Sequence, residues 1–335
     1  MNVLLTSAGR RSYLVRYFKN ALAGRGRVLA ANSADCPSFH VADGFVVTPL
    51  IYSDDYIPFL LDYCRREGVG LLIPLFDVDI PVLARKANLF ESIGVRVVSP
   101  SPTVANICND KLSTFSALSA ASILTPLTVT ALDDALVLLE NGEISFPLVV
   151  KPRWGMGSIG LHIVYNEREL RAACALVEGE VFRSYLKYES STGEGSSYII
   201  QEMVNGDEYG LDVMCDLDST FRGVSVKRKL AMRSGETDEA VVVDDQELVA
   251  LGERMASAFP HPGNMDVDVI MSERGPVVLE MNARFGGGYP FSHIAGVDLP
   301  AAIVEWALGG DVPDSTLWPA AGTHAYKDIA ITRAD

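Results

Sequence analysis

Basic side chains are in short supply: 28 Lys and Arg stand against 43 Asp and Glu, a formal net charge of -15 over 335 residues. Nucleic-acid backbones are held by clustered cations that release counterions, so this balance excludes nucleic acid as the expected partner. Long apolar runs are missing as well. No stretch of about 18 apolar residues is present to span a bilayer, and Met1 and Asn2 lead straight into an apolar strand without the charged, apolar, small-residue order of a leader. A cytoplasmic protein without a membrane partner is the expectation. Cysteine is sparse and scattered: Cys36, Cys64, Cys108, Cys174 and Cys215 show no paired short spacing. That argues against a disulfide framework or a zinc site and for reduced thiols. The five histidines form no ligand spacing either. No Ser-His or Cys-His pairing suggests a nucleophilic triad, and there is no internal repeat.

What the chain does have is core. With 48% hydrophobic and 21% charged residues it reads as an ordered globular protein of two or three structural units. Strands are expected at 2–5, 27–31, 44–48, 70–74 and 95–98, with helices at 12–23, 55–67 and 81–93 between them. That alternation is what a parallel, doubly wound sheet requires. The Ser99-Pro100-Ser101-Pro102 segment breaks the rhythm, and a helix carrying Asn109-Asp110-Lys111 follows. Paired strands then take over: 148–151 against 161–164, and 198–201 against 209–215. The Ser-, Gly- and Thr-rich stretch 190–197 reads as a mobile loop.

The most informative stretch is 264–284. Two apolar-rich runs flank Ser272-Glu273-Arg274-Gly275, whose turn chemistry predicts an antiparallel hairpin. Glu280 and Asn282, two apart, share a face, and folding about the turn brings Asp266 opposite them, with the register open by one. Asp268 lies on the same face as Asp266 and is the alternative. Magnesium takes one or two protein carboxylates and completes its octahedron with water and phosphate oxygens, which suits this set. A solvated acidic hairpin is the commoner fate of isolated acids. Here Glu280 follows the apolar Val277-Val278-Leu279 run, and Arg284-Phe285-Gly286-Gly287-Gly288 follows at once.

Gly155-Met-Gly157-Ser-Ile-Gly160 matches G-x-G-x-x-G, yet the dinucleotide fingerprint needs a helix to start within the glycines. Leu161-His-Ile-Val-Tyr continues as a strand instead, so the expected structure is a glycine hairpin tip whose amides can close on phosphates. Lys151, ending the preceding strand, points a cation at the same place. Gln201-Glu202-Met203-Val204 joins two strands through a short connection and has the form of a nucleotide hinge, with Glu208 beyond it as a ribose ligand.

Taken in order, Lys111, Lys151 with its glycine loop, the 201–204 hinge with Glu208, the basic strand Lys227-Arg228-Lys229 with Arg233, and Asp266, Glu280, Asn282 and Arg284 resemble the ATP-grasp superfamily. The likeness runs from about 106 to 310, and within the superfamily the chain looks similar to stand-alone ligases of the carbamoyl-phosphate-synthase large-subunit-like group. The resemblance implies an α/β N-terminal doubly wound parallel-sheet domain (1–105) followed by an α+β ATP-grasp fold. The latter divides into an N-terminal part with the glycine-loop lid (106–200) and a C-terminal part with the metal and substrate site (201–335). It also implies ATP and Mg2+ as cofactors, with two metal ions and Mn2+ as a substitute. Lys111, Lys151, Gly157 and Ser158 then hold phosphates, and Glu202 and Val204 hold adenine, with Gln201 as the alternate. Glu208 takes the ribose, and Lys227 joins the nucleotide site. Asp266, Glu280 and Asn282 bind metal. Arg284, Lys151 and Arg233 stabilise the transferred phosphoryl.

The activity implied is an ADP-forming ligase that joins a small carboxylate, such as an amino acid, to an amine or ammonia through an acyl phosphate. The alternative is a kinase, or a carbamoyl-phosphate-synthase-like subunit that depends on an ammonia-supplying partner. Charge neutralisation by metal, Lys and Arg would carry the catalysis, without a covalent enzyme intermediate. A homodimer is compatible with the resemblance. Substrate-lining candidates are Ser7, Arg10, Arg11, Asp77, Asp79, Arg284, Tyr289 and His293. Arg10 and Arg11 suit either a clamp on a second carboxylate or a solvated helix start. Asp77 and Asp79 suit either an amino group or a helix cap.

Overall fold

The computed structural model describes residues 1–155, 160–184, 186–192, 195–233 and 235–334. Its first sheet is built from β1 (Asn2–Thr6), β2 (Val28–Asn32), β3 (Gly44–Val47), β4 (Val69–Pro74) and β5 (Arg96–Val97), in the order β3-β2-β1-β4-β5. All four pairings are parallel. Val3, Leu4 and Leu5 of the central strand are all buried, because helices cover both faces of a parallel sheet. Val3, Leu5, Ala30, Leu71 and Ile73 pack with Leu14, Val15 and Phe18 of the helix Ser12–Leu22, and Leu4, Leu29 and Leu72 meet Tyr56 and Leu60 of the helix Tyr56–Glu67. The helix Leu299–Ala307, from the far end of the chain, packs Ala302, Ile303 and Val304 into the first of these clusters.

The helix expected over 81–93 is two short ones, Asp79–Ala84 and Ala87–Glu91. Lys86 leaves the helical region at φ -119°, and the break lets Leu83 and Phe90 enter one core cluster. The strand expected at 95–98 shrinks to β5. The next expected helix is also divided, into Pro102–Asn109 and Lys111–Ala120. Asp110 between them is extended, and its carboxylate accepts the Leu112 amide at 3.1 Å as the N-cap of the second helix.

The second sheet contains β6 (Thr128–Val129), β7 (Leu148–Pro152), β8 (His162–Val164) and β9 (Tyr198–Glu202), in the order β6-β9-β7-β8 and antiparallel throughout. The helix Glu167–Arg183 buries Leu170, Val177 and Val181 against Leu148, Val150 and Ile200 of this sheet. The third sheet has β10 (Asp207–Cys215), β11 (Phe221–Arg233), β12 (Glu236–Val243), β13 (Gly263–Ser272), β14 (Gly275–Asn282) and β15 (His324–Tyr326), in the order β14-β13-β10-β11-β12-β15. The helix Gln246–Ala258 lies on it so closely that a Cβ at Gly252 would strike the Val224 side chain.

The pairing expected between 198–201 and 209–215 does not form. β9 pairs with β6 and β7, whereas β10 pairs with β11 and β13. The four-residue link between them steps from one sheet to the next, with Gly206 at φ 154° pressed against the Met271 backbone. Part of 190–197 is helical, ending the helix Lys187–Thr192. Among the described residues, no helix is long and apolar enough to cross a membrane, and all five cysteines are free.

Candidate functional site

Antiparallel register places the acids. Asp266 stands opposite Asn282 and Asp268 opposite Glu280, so strand alternation puts all four side chains on one face of the β13–β14 hairpin. The register left open by the sequence is thereby fixed, with a bulge just beyond Asp268. The four then separate by partner. Asp266 Oδ2 accepts from Arg284 at 2.8 Å. Asp268 is held by Lys229 Nζ at 2.6 Å. Glu280 accepts from the Asn282 amide at 3.2 Å and lies 3.9 Å from Lys111 Nζ.

Lys111 opens the helix Lys111–Ala120, and its ammonium also donates to the Gly155 carbonyl, where the glycine loop leaves β7. Arg153 Nε and Nη2 grip the Asp110 carboxylate at 2.7 and 2.6 Å, which fixes the helix start to the loop. Gly155 and Gly160, at φ 116° and 68°, flank the loop; Gly157 and Ser158 lie outside the described residues. Desolvation, with Lys111 beside it, outweighs the pull of Glu280 and Asp268 and holds the Lys151 ammonium down to about 8. Burial pushes the Glu280 carboxyl up, but Lys111, Lys151 and the Asn282 amide more than offset this and leave it below the ordinary range. Two lysines around one carboxylate make a pocket that favours further negative charge.

Arg284 is buried and joins two parts of the molecule. Its Nε lies 2.9 Å from Asp77 Oδ1 in the loop after β4, while Nη1 takes Asp266. Directly behind, Gly286 packs against the Asp266 carboxyl so tightly that a Cβ would overlap it. Beneath this strap lies a buried network that sequence reasoning missed. Lys227 Nζ donates to Asp212, Ser292 donates to the same oxygen, and Asn264 donates to Asp212 Oδ1 at 2.9 Å and to the Arg284 carbonyl at 3.2 Å. An Asp at position 212 in the otherwise apolar run Leu211–Cys215 was the available signal.

Several expected site residues are turned elsewhere. Lys227 is locked under the strap by Asp212, so Lys229 is the strand lysine that meets the hairpin acids; Arg228 faces the other way to Asp207 at 2.8 Å. Arg233 is at the exposed end of β11, paired with Asp238 at 2.5 Å. Gln201 turns inward to the Thr128 hydroxyl at 2.8 Å. The Glu202 amide donates to Leu127, and its carboxylate accepts from Leu127 N at 3.2 Å and Arg274 at 2.7 Å, which ties the second sheet to the hairpin turn. Val204 sits in the link between β9 and β10, and Glu208 on β10 faces Lys229 electrostatically. Asp79 is fully buried and accepts from the Thr6, Ser7 and Tyr56 hydroxyls at 2.6, 3.0 and 2.7 Å, so it neither caps a helix nor lines a cleft. Tyr289 is buried with its hydroxyl on Val297 and Leu299, and His293 stacks on Tyr17 at 3.6 Å.

The hairpin donors suit a magnesium-nucleotide. Among the described residues, no three His, Cys, Asp or Glu side chains converge as a ligand set. A Glu280 and Asn282 pair leaves most of an octahedron to phosphate and water, as magnesium prefers.

Residues 108–288 match the ATP-grasp domain, and residues 3–98 match the PylC-like N-terminal domain. The chain is 24% identical to a biotin carboxylase of Halalkalibacterium halodurans over 90% of its own length and 68% of the relative's. It is 26% identical to a probable alpha-L-glutamate ligase of Mannheimia succiniciproducens over 68% of this chain and 75% of that one. A carbamoyl phosphate synthase large chain of Corynebacterium glutamicum is 22% identical over 82% of this chain, which spans only 24% of that relative. Two solved structures share the fold. The biotin carboxylase of Campylobacter jejuni superimposes with a TM-score of 0.75 at 16% identity, covering 96% of this chain and 74% of that one. The L-amino acid ligase of Bacillus licheniformis gives 0.71 at 18% identity, covering 96% and 78%. With the ATP-grasp match taking in more than half of the chain, and both lysines and the whole acidic hairpin inside it, the chain belongs to the ATP-grasp family.

Proposed function

We propose that this chain is an ADP-forming ligase that passes the γ-phosphoryl of ATP to a carboxylate and joins the resulting acyl phosphate to an amine or ammonia. The observation that carries the reading is the meeting of Lys111 and Lys151 with Glu280 and Asn282, one short step along the chain from Arg284. The lysines receive the ATP phosphates, and the glycine loop with Gly157 and Ser158 covers them. Val204 and the link around it receive adenine, with Glu208 at the ribose. Glu280 and Asn282 hold magnesium, with Asp268 or Asp266 as the further carboxylate; when bound, the metal neutralises phosphate charge.

The chain's own part is electrostatic. A carboxylate oxygen attacks the γ-phosphorus in line as the bond to ADP breaks, and Lys151 with Lys111 offsets the charge that builds on the transferred oxygens. Arg284, oriented by Asp77 and Asp266, steadies the acyl phosphate until the amine displaces phosphate. The likeness to a probable alpha-L-glutamate ligase and to an L-amino acid ligase supports this reaction class.

The test is ADP release from magnesium-ATP across amino acids and small carboxylic acids, each with and without an amine. ADP that appears only when acid and amine are both present supports the ligase. ADP formed with a hydroxyl compound alone, together with its phosphate ester, replaces it with a kinase.

A further inference from the structure

Lys327 lies over Gly287, three positions beyond Arg284, in a chain that is strongly acidic. Lys327 Nζ lies 2.7 Å from Glu236, and both come within 3.8 Å of the Cβ position of Gly287. Arg10 and Arg11, on the loop after β1, act on the same Glu236 carboxylate at longer range, after Lys327. Glu236 thus meets one basic side chain in contact, Lys327, and two arginines at longer range. Arg10 is exposed and makes no hydrogen bond or ion pair among the described residues. The helix Ser12–Leu22 begins here with no side-chain cap and no acid in its first turn, so its positive end adds to the surplus.

The loop that presents these arginines is rigidly built. Ser7 and Gly9 both take positive φ, at 51° and 50°, and Ser7 is held there by its hydroxyl on the buried Asp79 at 3.0 Å. Ala8 donates to the Ala31 carbonyl at 3.2 Å, and the Arg11 guanidinium donates to the Leu75 carbonyl. Such construction holds charge in place before a ligand arrives. The Leu75 carbonyl that Arg11 holds lies two positions before Asp77, the partner of Arg284, which puts the cluster next to the reacting end of the site.

We propose that the substrate carries an oxyanion group, carboxylate or phosphate, besides its reacting groups, and that Arg10, Arg11 and Lys327 bind it. The inference rests on the ligase reading for its place in the substrate cleft. It predicts substrates such as a dicarboxylic or phosphorylated acid, in preference to acids of a single charge.

The test is calorimetric titration of the full chain, with magnesium-ADP present, using glutarate, butyrate and inorganic phosphate as probes. The Arg10→Gln/Lys327→Gln double variant is titrated alongside, with its melting temperature and ADP affinity as folding controls. Glutarate is expected to bind the wild type about tenfold or more tighter than butyrate, and the double variant to lose that preference. Phosphate tighter than glutarate assigns a phosphorylated substrate, and the reverse assigns a dicarboxylate. No preference for the dianions in the wild type, including no binding at all, overturns the proposal, as does a preference that survives the double variant. ADP release by the same preparation keeps the two ideas apart: anion preference without turnover overturns the ligase alone, and turnover without anion preference overturns this subsite alone.

Discussion

Arg284 and Asp77, 207 positions apart in sequence, form a buried pair: Arg284 Nη2 donates to Asp77 Oδ2 at 3.1 Å while Nε lies 2.9 Å from Oδ1. The guanidinium's other arm holds Asp266, so one cation joins the parallel-sheet domain to the acidic hairpin. Burial opposes the Arg284 charge, and the two carboxylates raise its pKa well above the ordinary range. Asp77→Asn should therefore cost about 3 kcal/mol, because one partner of a buried pair is lost while the charge stays. Denaturant unfolding checks it, and an unchanged midpoint would contradict the coupling.

Gly286→Ala should be costly although the backbone there is unstrained. The added methyl meets the Asp266 carboxyl, which must leave Arg284 to make room. Overpacking of this kind costs about 1–3 kcal/mol. Turnover should fall more than ATP affinity, measured by steady-state kinetics, since the displaced group serves Arg284 rather than the nucleotide lysines.

Lys151 gives a pH signature. With its ammonium held down to about 8, chiefly by desolvation, the free protein carries the charge below that pH and loses it above. Nucleotide phosphates favour the charged form. Affinity for ATP should be level at low pH and fall by up to tenfold per unit as pH rises through about 8. Lys151→Met should bind weakly at every pH and lack the inflection; an inflection that persists in the variant would assign it to another group.

Asp110 gives a stability signature. Burial raises its carboxyl, but Arg153, Ser113 and the Leu112 amide outweigh burial and hold it below the ordinary value. A carboxyl depressed in the folded state contributes stability above its unfolded pKa of about 3.9 and loses it as pH falls through the lower folded value. Asp110→Asn keeps a capping side chain but drops the charge facing Arg153. The stability gap between wild type and variant should be widest near neutral pH, on the order of 3 kcal/mol, and close below about pH 4. A gap independent of pH would show that shape, not charge, is what Asp110 supplies.

Local pattern made much of this legible. Strand and helix alternation over the first hundred residues follows from apolar period and turn residues. The β13–β14 hairpin follows from its turn, which is why Glu280 and Asn282 could be set on one face. Long-range partners were hidden. Nothing in the sequence near Asp77 marks Arg284 as its mate, and Lys227 and Lys229 look alike until Asp212 and Asp268 divide them. β9 and β10 read as a hairpin because a four-residue link is as short as a turn, and only sheet membership separates them. Arg233 misled because a basic strand continues past the point where the strand leaves the site.

Glu280 stands at the centre of the account, between Lys111 and Lys151. Glu280→Ala should lower turnover by at least about a hundredfold, with the fold intact by melting temperature. The most direct measurement is oxygen transfer: the acid substrate is supplied with 18O in its carboxylate, and the phosphate released with ADP is examined by mass. Passage through an acyl phosphate predicts one 18O in each phosphate, carried over when the amine displaces it. Phosphate without label, while the amide product forms, would contradict the mechanism at its central step.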